Sequence, residues 1–331
     1  MTHAIEAEGL RKRFGTTQAL DGVDLLARQG TVLGVLGPNG AGKTTAVKVL
    51  ATLLRPDSGT ARVAGHDVVR EPAAVRRLVG LTGQYAAVDE DLTGLQNLVL
   101  IGRLLDLDGP AARRRATELL EDFGLTDAAG RRAGTYSGGM RRRLDLAASL
   151  VGRPAVVVLD EPTTGLDPAK REDMWDVVRR LVADGSTVLL TTQYLEEADQ
   201  LADEISVIDS GRVIAHDTPE GLKRRVGGRT LTVRPDDPAD LDDVCEVLGE
   251  VTGERAARLP RGTAAVPVTD DGALTAAVAR FAGRGLAVHE LSLHLPTLDE
   301  VFTALTGGAR AANPENPRNP ENPPNPEEVA A

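Results

Sequence analysis

The sequence lacks several features that define whole classes of protein. Among its 331 residues the only cysteine is Cys245, so an internal disulfide framework is excluded. No apolar run approaches the ~18 residues that a membrane-spanning helix requires, and no basic start followed by an apolar stretch indicates an export signal. The formal net charge of −11 argues against a general nucleic-acid binder, which would present a basic face to phosphates. A hydrophobic content of 41% is nevertheless enough to bury a full core.

The most specific motif is a glycine-rich segment between a predicted strand at 31–36 and a predicted helix at 45–50. It consists of Gly37, Pro38, Asn39, Gly40, Ala41, Gly42, Lys43 and Thr44, which fits the phosphate-loop pattern G-x-x-x-x-G-K-[ST]. The glycines let backbone N–H groups surround phosphate oxygens, Lys43 can reach the β- and γ-phosphates, and the Thr44 hydroxyl can hold Mg²⁺. Thr45 is the last of these candidate nucleotide-binding residues and lies at the positive end of the predicted helix's dipole. The motif predicts a nucleoside triphosphate site rather than an ordinary strand–helix turn.

Two carboxylates follow a second buried strand. Residues 155–159 form an apolar, β-branched run of the kind that is buried on both faces of a parallel sheet, and Asp160 and Glu161 come next. The carboxyl ends of such strands are where α/β sheets bind ligands. Asp160 is therefore a candidate Mg²⁺ ligand, and Glu161 is a candidate general base for an attacking water. Alone, Asp160 and Glu161 would indicate only a solvated strand end. The presence of a phosphate loop in the same chain favours the metal-binding and catalytic roles.

Between these motifs the chain reads Tyr-Ser-Gly-Gly-Met from Tyr136 to Met140. This segment resembles the signature motif of ATP-binding cassette (ABC) ATPases, usually written LSGGQ, with Tyr136 in place of Leu and Met140 in place of Gln. The resemblance implies that Ser137, Gly138 and Gly139 contact the γ-phosphate of ATP held by another subunit, through a hydroxyl and amides at a helix N-terminus. As a lone tetrapeptide the segment would indicate only a flexible turn.

Further positions match the same family one at a time. Gln84 stands at the place of the Q-loop glutamine, which contacts Mg²⁺ or the attacking water, although an ordinary loop glutamine would look the same. Asp167 stands at the place of the D-loop aspartate that reaches across the dimer, and it is equally suited to cap a helix. Gln193 replaces the family's usual histidine; it can still hydrogen-bond the γ-phosphate but has no titratable charge, so we expect slow hydrolysis. Phe14 stands where the family stacks an aromatic ring on adenine, and a core or edge role is equally open.

Two local variants narrow the resemblance. Residues 135–145 and 191–195 are similar to the ATP-binding subunit of the daunorubicin-resistance family of ABC exporters, and residues 51–57 and 298–302 extend the match. That family implies ATP hydrolysis that energises efflux of an amphipathic, anthracycline- or polyketide-like drug or secondary metabolite through a separate membrane permease. Export of a complex lipid is the alternative. The resemblance also implies ATP and Mg²⁺ as cofactors, a head-to-tail homodimer and a peripheral place on the cytoplasmic face of the plasma membrane.

The expected fold is α/β. A P-loop ABC ATPase core is expected over residues 1–226, with an antiparallel β subdomain at its start and a helical subdomain at about 86–150. A small α+β accessory domain of ferredoxin-like type is expected over 227–307. Its expected elements are strands at 230–233, 264–268 and 288–293 and helices at 239–248, 272–282 and 297–305. Residues 308–331 are predicted to be a disordered tail, because repeated Asn-Pro removes backbone donors and favours an extended chain.

Two non-transport functions of ABC ATPases each predict a sequence feature that can be looked for here. An ABC-type DNA-repair or chromosome ATPase would interrupt the core with long heptad repeats or zinc-ligand cysteines, and this sequence has neither. An ABC translation factor would carry two cassettes in one chain, and this sequence has one. The small domain shows no ligand constellation, so packing and dimer support are its expected roles, with a regulatory or sensing role as the alternative.

Overall fold

The computed structural model describes residues 2–83, 88–164, 166–226, 228–260, 262–268 and 272–311. The strands are β1 (His3–Phe14), β2 (Thr17–Arg28), β3 (Val32–Leu36), β4 (Ser58–Val63), β5 (His66–Asp67), β6 (Val79–Thr82), β7 (Val156–Asp160), β8 (Thr187–Thr192), β9 (Glu204–Asp209), β10 (Arg212–Asp217), β11 (Arg229–Pro235), β12 (Ala257–Leu259), β13 (Thr263–Val268) and β14 (Val288–His294). The helices are α1 (Lys43–Leu50), α2 (Pro72–Leu78), α3 (Gly94–Leu104), α4 (Gly109–Asp122), α5 (Gly138–Ser149), α6 (Pro168–Ala183), α7 (Leu195–Leu201), α8 (Pro219–Val226), α9 (Leu241–Thr252), α10 (Gly272–Arg284) and α11 (Leu298–Ala311).

A sheet in the order β10-β9-β3-β8-β7-β6 forms the centre of the large domain. Its strands pair in parallel, except that β10 runs antiparallel to β9 at one edge. Every residue of β3, β7 and β8 is buried. The apolar runs in these strands predict this for a sheet covered on both faces, although β7 ends in an aspartate and β8 contains three threonines. The carboxyl ends of these three strands lie side by side, so the loops that follow them meet at one edge of the sheet.

One face of the central sheet is covered by α1 and by an antiparallel sheet in the order β2-β1-β4-β5. Ile5 and Leu10 of β1 and Leu20 of β2 are fully buried in the same hydrophobic cluster as Val49 and Leu50 of α1. This arrangement confirms the predicted antiparallel subdomain. It also places α1, whose N-terminus follows the phosphate loop, between two sheets.

The other face is covered by helices that belong to the predicted helical segment and by α6. Leu98 of α3, Leu119 of α4 and Leu144 of α5 share a hydrophobic cluster with Trp175 and Val178 of α6. Local signals fix where these helices begin. The side chain of Thr93 accepts a hydrogen bond from the Gln96 N–H in a reciprocal capping box at α3, and Asp108 accepts one from the Ala111 N–H at α4.

The C-terminal sheet has the order β12-β13-β11-β14 with every neighbouring pair antiparallel, and α9 and α10 pack on it. With the chain order β11-α9-β12-β13-α10-β14, this is the expected ferredoxin-like arrangement. The expected elements are all present. Strand β12 was not predicted, because its three residues are all exposed and show no apolar alternation.

The last helix leaves this sheet and returns to the large domain. Leu298 and Val301 of α11 are buried in a cluster with Ala198 of α7 and Leu222 of α8, next to Leu36 at the end of β3. Helix α11 continues to Ala311, beyond the predicted start of the tail at residue 308, and residues 312–331 lie outside the described residues. The proposed domain boundaries stay a prediction.

Across the part of the chain that the structure describes, none of the helices combines the length and the apolar character that crossing a bilayer demands.

Candidate functional site

The phosphate-loop segment connects β3 to α1 with the backbone packed closely against its neighbours. A Cβ atom at Gly37 would lie 2.2 Å from the carbonyl oxygen of Ile208, and one at Gly42 would lie 2.4 Å from that of Ala19. Gly42 also has φ of 111°, which side chains rarely tolerate. Only glycine therefore fits at these two positions. The loop that results leaves backbone N–H groups at the start of α1 available to an anion.

Lys43 is the first residue of α1, and it is almost fully buried, with 5% of its surface exposed. Its Nζ donates hydrogen bonds to the carbonyl oxygens of Gly37 at 2.7 Å and Pro38 at 3.1 Å. Burial lowers the pKa of Lys43, while the nearby carboxylates of Glu161 and Asp160 act in the opposite direction. A buried ammonium whose described hydrogen bonds go to loop carbonyls favours an anion beside it.

A cleft of about 380 Å³ opens at this loop. Its lining residues are Ala19, Asn39, Gly40, Gly42, Lys43, Thr44, Thr45 and Glu161. The structure thus brings the phosphate loop and the candidate base, which are far apart in sequence, to one cavity. Thr44 and Thr45 lie in the first turn of α1 with their side chains only partly buried, so Thr44 has access to a ligand of the loop.

Asp160 is the last residue of β7, and 4% of its surface is exposed. It pairs in register with Thr191 of the neighbouring strand β8, whose hydroxyl donates a short hydrogen bond to the Asp160 Oδ1. This bond fixes the carboxylate at the carboxyl edge of the sheet. The metal-ligand role of Asp160 stays a prediction.

Glu161 continues from the strand in a left-handed backbone conformation, with φ of 52°. Such a conformation is unfavourable for a residue with a side chain and persists only where the surroundings enforce it. The Glu161 N–H donates to the Thr191 carbonyl at 3.0 Å, and the Thr164 hydroxyl donates to its Oε2 at 3.3 Å. The turn directs a half-buried carboxylate to the cleft.

Arg142 is a residue of this site that the sequence does not single out. From α5 its guanidinium donates to the carbonyl oxygens of Glu161 at 2.8 Å, Pro162 at 3.1 Å and Gly83 at 3.0 Å. The only signal in the sequence is a run of three arginines after the signature motif. Which of the three reaches the ends of β6 and β7 depends on how α5 packs, and that information is not local.

A buried carboxyl beneath the site is a second feature that the sequence does not reveal. Glu197 of α7 is 1% exposed. Its neighbours are the side chains of Thr192, Thr163, Trp175 and Arg171. Burial raises the pKa of Glu197, and these hydroxyl, indole and guanidinium neighbours partly oppose that shift. Glu197 therefore lies between the segment that follows β8 and the turn that follows Glu161.

The signature residues lie elsewhere on the chain. Ser137 is the N-cap of α5, where its Oγ accepts a hydrogen bond from the Met140 N–H at 3.3 Å. Ser137 and Gly138 are exposed, and Gly139 is half-buried. Ser137 and Gly139 border a separate groove together with Lys170 of α6. The structure of one chain thus does not bring the signature residues into the cleft of the phosphate loop.

Asp167 is the N-cap of α6, which confirms the structural half of its expected role. Its Oδ1 accepts a hydrogen bond from the Lys170 N–H at 3.0 Å, and its Oδ2 forms a short ion pair with the Lys170 ammonium. The hydrogen bond and charge of Lys170 lower the pKa of Asp167. The carboxylate is exposed, so its contact with a second subunit stays a prediction.

Of the three remaining predicted residues, the structure describes Gln193 and Phe14. Gln193 is exposed in the bend between β8 and α7, close in sequence to Thr191, the partner of Asp160. Phe14 ends β1 with half of its surface exposed, and it is not among the residues that line the phosphate-loop cleft. Gln84 lies outside the described residues, although β6 ends two residues earlier beside β7.

Comparison with known proteins decides the family. A family model described as ABC transporter matches residues 20–164. The daunorubicin resistance ATP-binding protein DrrA2 of Streptomyces coeruleorubidus is 57% identical over 307 residues, which cover 92% of this chain and 95% of the relative. The chain belongs to the daunorubicin-resistance family of ABC transporter ATP-binding proteins. A second relative, the daunorubicin/doxorubicin resistance ATP-binding protein DrrA of Streptomyces peucetius, is 53% identical and matches over 92% of this chain and 93% of its own length.

Solved structures agree with this family. The ATP-binding subunit of an ABC transporter superposes with a TM-score of 0.62 at 26% identity, covering 67% of this chain and 92% of the other. A dimeric ATP-binding cassette in a post-hydrolysis state with ADP and Pi gives a TM-score of 0.60 at 25% identity, covering 65% and 98%. The predicted P-loop ABC ATPase fold is confirmed, and the chain is an ABC ATPase.

The two departures from the family's usual signature motif have different structural effects. Tyr136 is buried, and its hydroxyl donates to the Ala128 carbonyl at 2.7 Å inside the helical segment. A Cβ atom at position 94 would lie 2.3 Å from the same hydroxyl, so Tyr136 requires Gly94 opposite it. Met140 packs as a partly buried residue against the same core. Tyr136 thus stabilises the segment from inside and leaves the exposed Ser137 in place.

Proposed function

We propose that this ABC ATPase acts as a head-to-tail homodimer that hydrolyses Mg²⁺-ATP to drive efflux of an amphipathic drug or secondary metabolite through a separate membrane permease. The observation that carries the proposal is the cleft in which the phosphate loop, buried Lys43 and Glu161 meet. The curated relatives, named for resistance to daunorubicin and doxorubicin, support the cargo class. A place on the cytoplasmic face of the plasma membrane is part of the same proposal.

The residues present fit a magnesium nucleotide. The close backbone packing at Gly37 and Gly42 forms a cradle that any side chain would fill, and Lys43 supplies a buried cation for phosphate oxygens. Asp160 and the Thr44 hydroxyl, with Gln84, would hold Mg²⁺, because hard cations prefer oxygen ligands. When bound, the ion would neutralise charge on the phosphates.

Glu161 is the group that would move a proton. Its carboxylate borders the cleft, so it can accept a proton from a water molecule that attacks the γ-phosphate. The side chain of Gln193 lies exposed at the same edge of the sheet and would donate a hydrogen bond where negative charge builds up. Neither residue forms a covalent bond; the chemistry is positioning and electrostatics, as expected for phosphoryl transfer.

The exposed half of the site supports the dimer. Ser137, Gly138 and Asp167 are exposed at the N-termini of α5 and α6, and they are not among the residues that line the cleft with Lys43. In a two-fold dimer each signature segment would cover the nucleotide of the other subunit, and each contact would occur twice. The dimeric post-hydrolysis cassette to which this chain is similar supports the arrangement.

The proposed cargo is tested in cells. The chain is co-expressed with the membrane protein that co-purifies with it, and accumulation of a panel of anthracycline- and polyketide-type drugs is measured. We expect lower accumulation with the parental chain and no effect with Lys43→Ala, while the same drugs change the ATPase rate of the purified complex, since coupling is reciprocal. Unchanged drug accumulation together with altered export of a lipid would contradict the drug proposal and support the complex-lipid alternative.

A further inference from the structure

We propose that Arg142 is a positioning residue, which holds the Glu161 peptide in its catalytic conformation and couples it to the signature end of α5. The proposal rests on the proposed roles of Glu161 and Ser137. Its basis is one guanidinium that reaches the carbonyl oxygens of Glu161, Pro162 and Gly83 and, at 3.5 Å, of Asp160.

The turn after β7 has a physical need for such a group. The φ of 52° at Glu161 is unfavourable, so neighbouring contacts must compensate for it. The carbonyl oxygens of three successive residues, from Asp160 to Pro162, all lie near the same guanidinium, and without a cation their dipoles would repel one another. A guanidinium offers five N–H donors in a fixed plane, whereas a lysine ammonium offers three at one point. Arginine is therefore the side chain that suits this set of acceptors.

The bond to Gly83 extends the effect to a second strand. Gly83 follows β6, which pairs in parallel with β7, so Arg142 joins the carboxyl ends of two adjacent strands. Gly83 is also the residue that precedes Gln84. One side chain thus fixes the turn that carries the candidate base and the start of the segment that carries the candidate metal-binding glutamine.

The position of Arg142 in α5 gives it a role in coupling. Helix α5 begins at Gly138, directly after its N-cap Ser137, and Arg142 lies in the following turn. Because a helix of this length moves as a rigid element, displacement of the signature end by the second subunit's nucleotide would also displace the Arg142 guanidinium. The position of Glu161 on each chain would thereby depend on whether the signature segment of that chain contacts the second subunit's nucleotide.

The neighbouring arginines provide an internal contrast. Arg141 pairs with Glu90 at 2.7 Å and donates to the Gly134 carbonyl at 3.3 Å, and Arg143 donates to the Phe123 carbonyl at 3.1 Å. Their described contacts lie within the helical segment. Arg142 reaches the strand ends, although the three residues are identical in type and adjacent in sequence.

The test compares Arg142→Ala and Arg142→Lys with the matched control Arg141→Ala in the full-length chain. Nucleotide affinity, kcat and melting temperature are measured, and hydrogen exchange is followed in peptides that cover residues 79–83 and 156–164. For Arg142→Ala we expect kcat to fall roughly tenfold to a hundredfold, the scale of a small misplacement of a reacting group, with ATP affinity nearly unchanged. Exchange should increase in both peptides. Arg142→Lys should restore part of kcat, and Arg141→Ala should match the parental chain.

Two results would overturn the proposal. One is an Arg142→Ala chain with parental kcat and unchanged exchange at both strand ends. The other is a parallel fall in ATP affinity, kcat and melting temperature, which indicates a general loss of structure. Failure of the underlying function has a different signature: if Glu161→Gln itself hydrolyses ATP at the parental rate, Glu161 is not the base, while the exchange data still report whether Arg142 holds the turn.

Discussion

The site has a phosphate-loop half, with Lys43 and Asp160, and a signature half, with Ser137 and Asp167. The two halves differ in how many of their contacts are made within one chain. Lys43 and Asp160 are 5% and 4% exposed, and their polar atoms are held by carbonyl and hydroxyl groups of neighbouring strands and loops. Ser137 and Asp167 are exposed helix caps whose described hydrogen bonds are made within their own first turns. Packing within one chain prepares the first half for its ligand, whereas the second half depends on another surface. Substitutions in the two halves should therefore fail at different steps.

The largest effect should come from the phosphate-loop half. Glu161→Gln preserves the shape of the side chain but cannot take a proton, so we expect kcat to fall by roughly 10²–10⁴ while ATP binding is retained. Because the nucleotide then stays intact, the variant should also accumulate as an ATP-bound dimer. Turnover measured beside equilibrium ATP binding and size-exclusion chromatography checks this. Parental turnover in the purified variant would remove Glu161 from the base role.

The second prediction combines one variant in each half of the site within the same dimer. Lys43→Ala should weaken ATP binding by roughly tenfold or more, because a charge-assisted contact to phosphate is lost, and Ser137→Arg should block hydrolysis by crowding the opposite nucleotide. In a mixed dimer of the two variants, both defects fall in one composite site and the other site is intact. We expect the mixture to recover activity that neither pure variant shows, measured as ATPase rate against mixing ratio. A monomer that hydrolyses ATP normally would contradict the division of the site.

A smaller effect is expected at Gln193, which lies at the edge of the phosphate-loop half. Gln193→His introduces the family's usual group, so turnover should change by a few-fold while ATP affinity changes little, because the contact strengthens as charge moves onto the γ-phosphate. Both values should be measured with the membrane partner present. Identical turnover in the two proteins would make the position structural.

The smallest effect concerns stability beneath the site. Burial raises the pKa of Glu197, so the folded chain binds more protons there than the unfolded chain as soon as the pH exceeds the ordinary glutamate value of about 4.3. Its contribution is complete below that pH and is lost as the pH rises toward the raised pKa. Glu197→Gln removes this loss, so its melting temperature should exceed the parental value by a few degrees near neutral pH and converge with it in acid. A variant that melts earlier than the parental chain near neutral pH and converges with it in acid would show that the charged form is the stabilising one.

The sequence was informative where residue type alone limits the structure. The phosphate loop could be placed from the spacing of its glycines, lysine and threonine, and the structure shows why that spacing is demanding, since close backbone contact admits only glycine at Gly37 and Gly42. The central strands could be placed from their apolar runs. Arg142 could not be separated from its two arginine neighbours without the packing of α5. Glu197 follows another glutamate at the start of a helix, where carboxylates are normally solvated, and only tertiary contacts show that it is buried.

The return of α11 to the large domain has a consequence for the order in which the chain becomes folded during synthesis. Leu298 and Val301 cover apolar residues of α7 and α8 that leave the ribosome roughly 75 to 100 residues earlier, which corresponds to about 4–20 s of translation. Throughout that interval Ala198 and Leu222 lack this cover, close to the strand that leads into the phosphate loop. A nascent chain that stalls inside the ferredoxin-like segment would therefore expose a hydrophobic patch on an otherwise folded ATPase domain. If such a chain were released from the ribosome, we expect it to aggregate and not to act as a functional truncated enzyme.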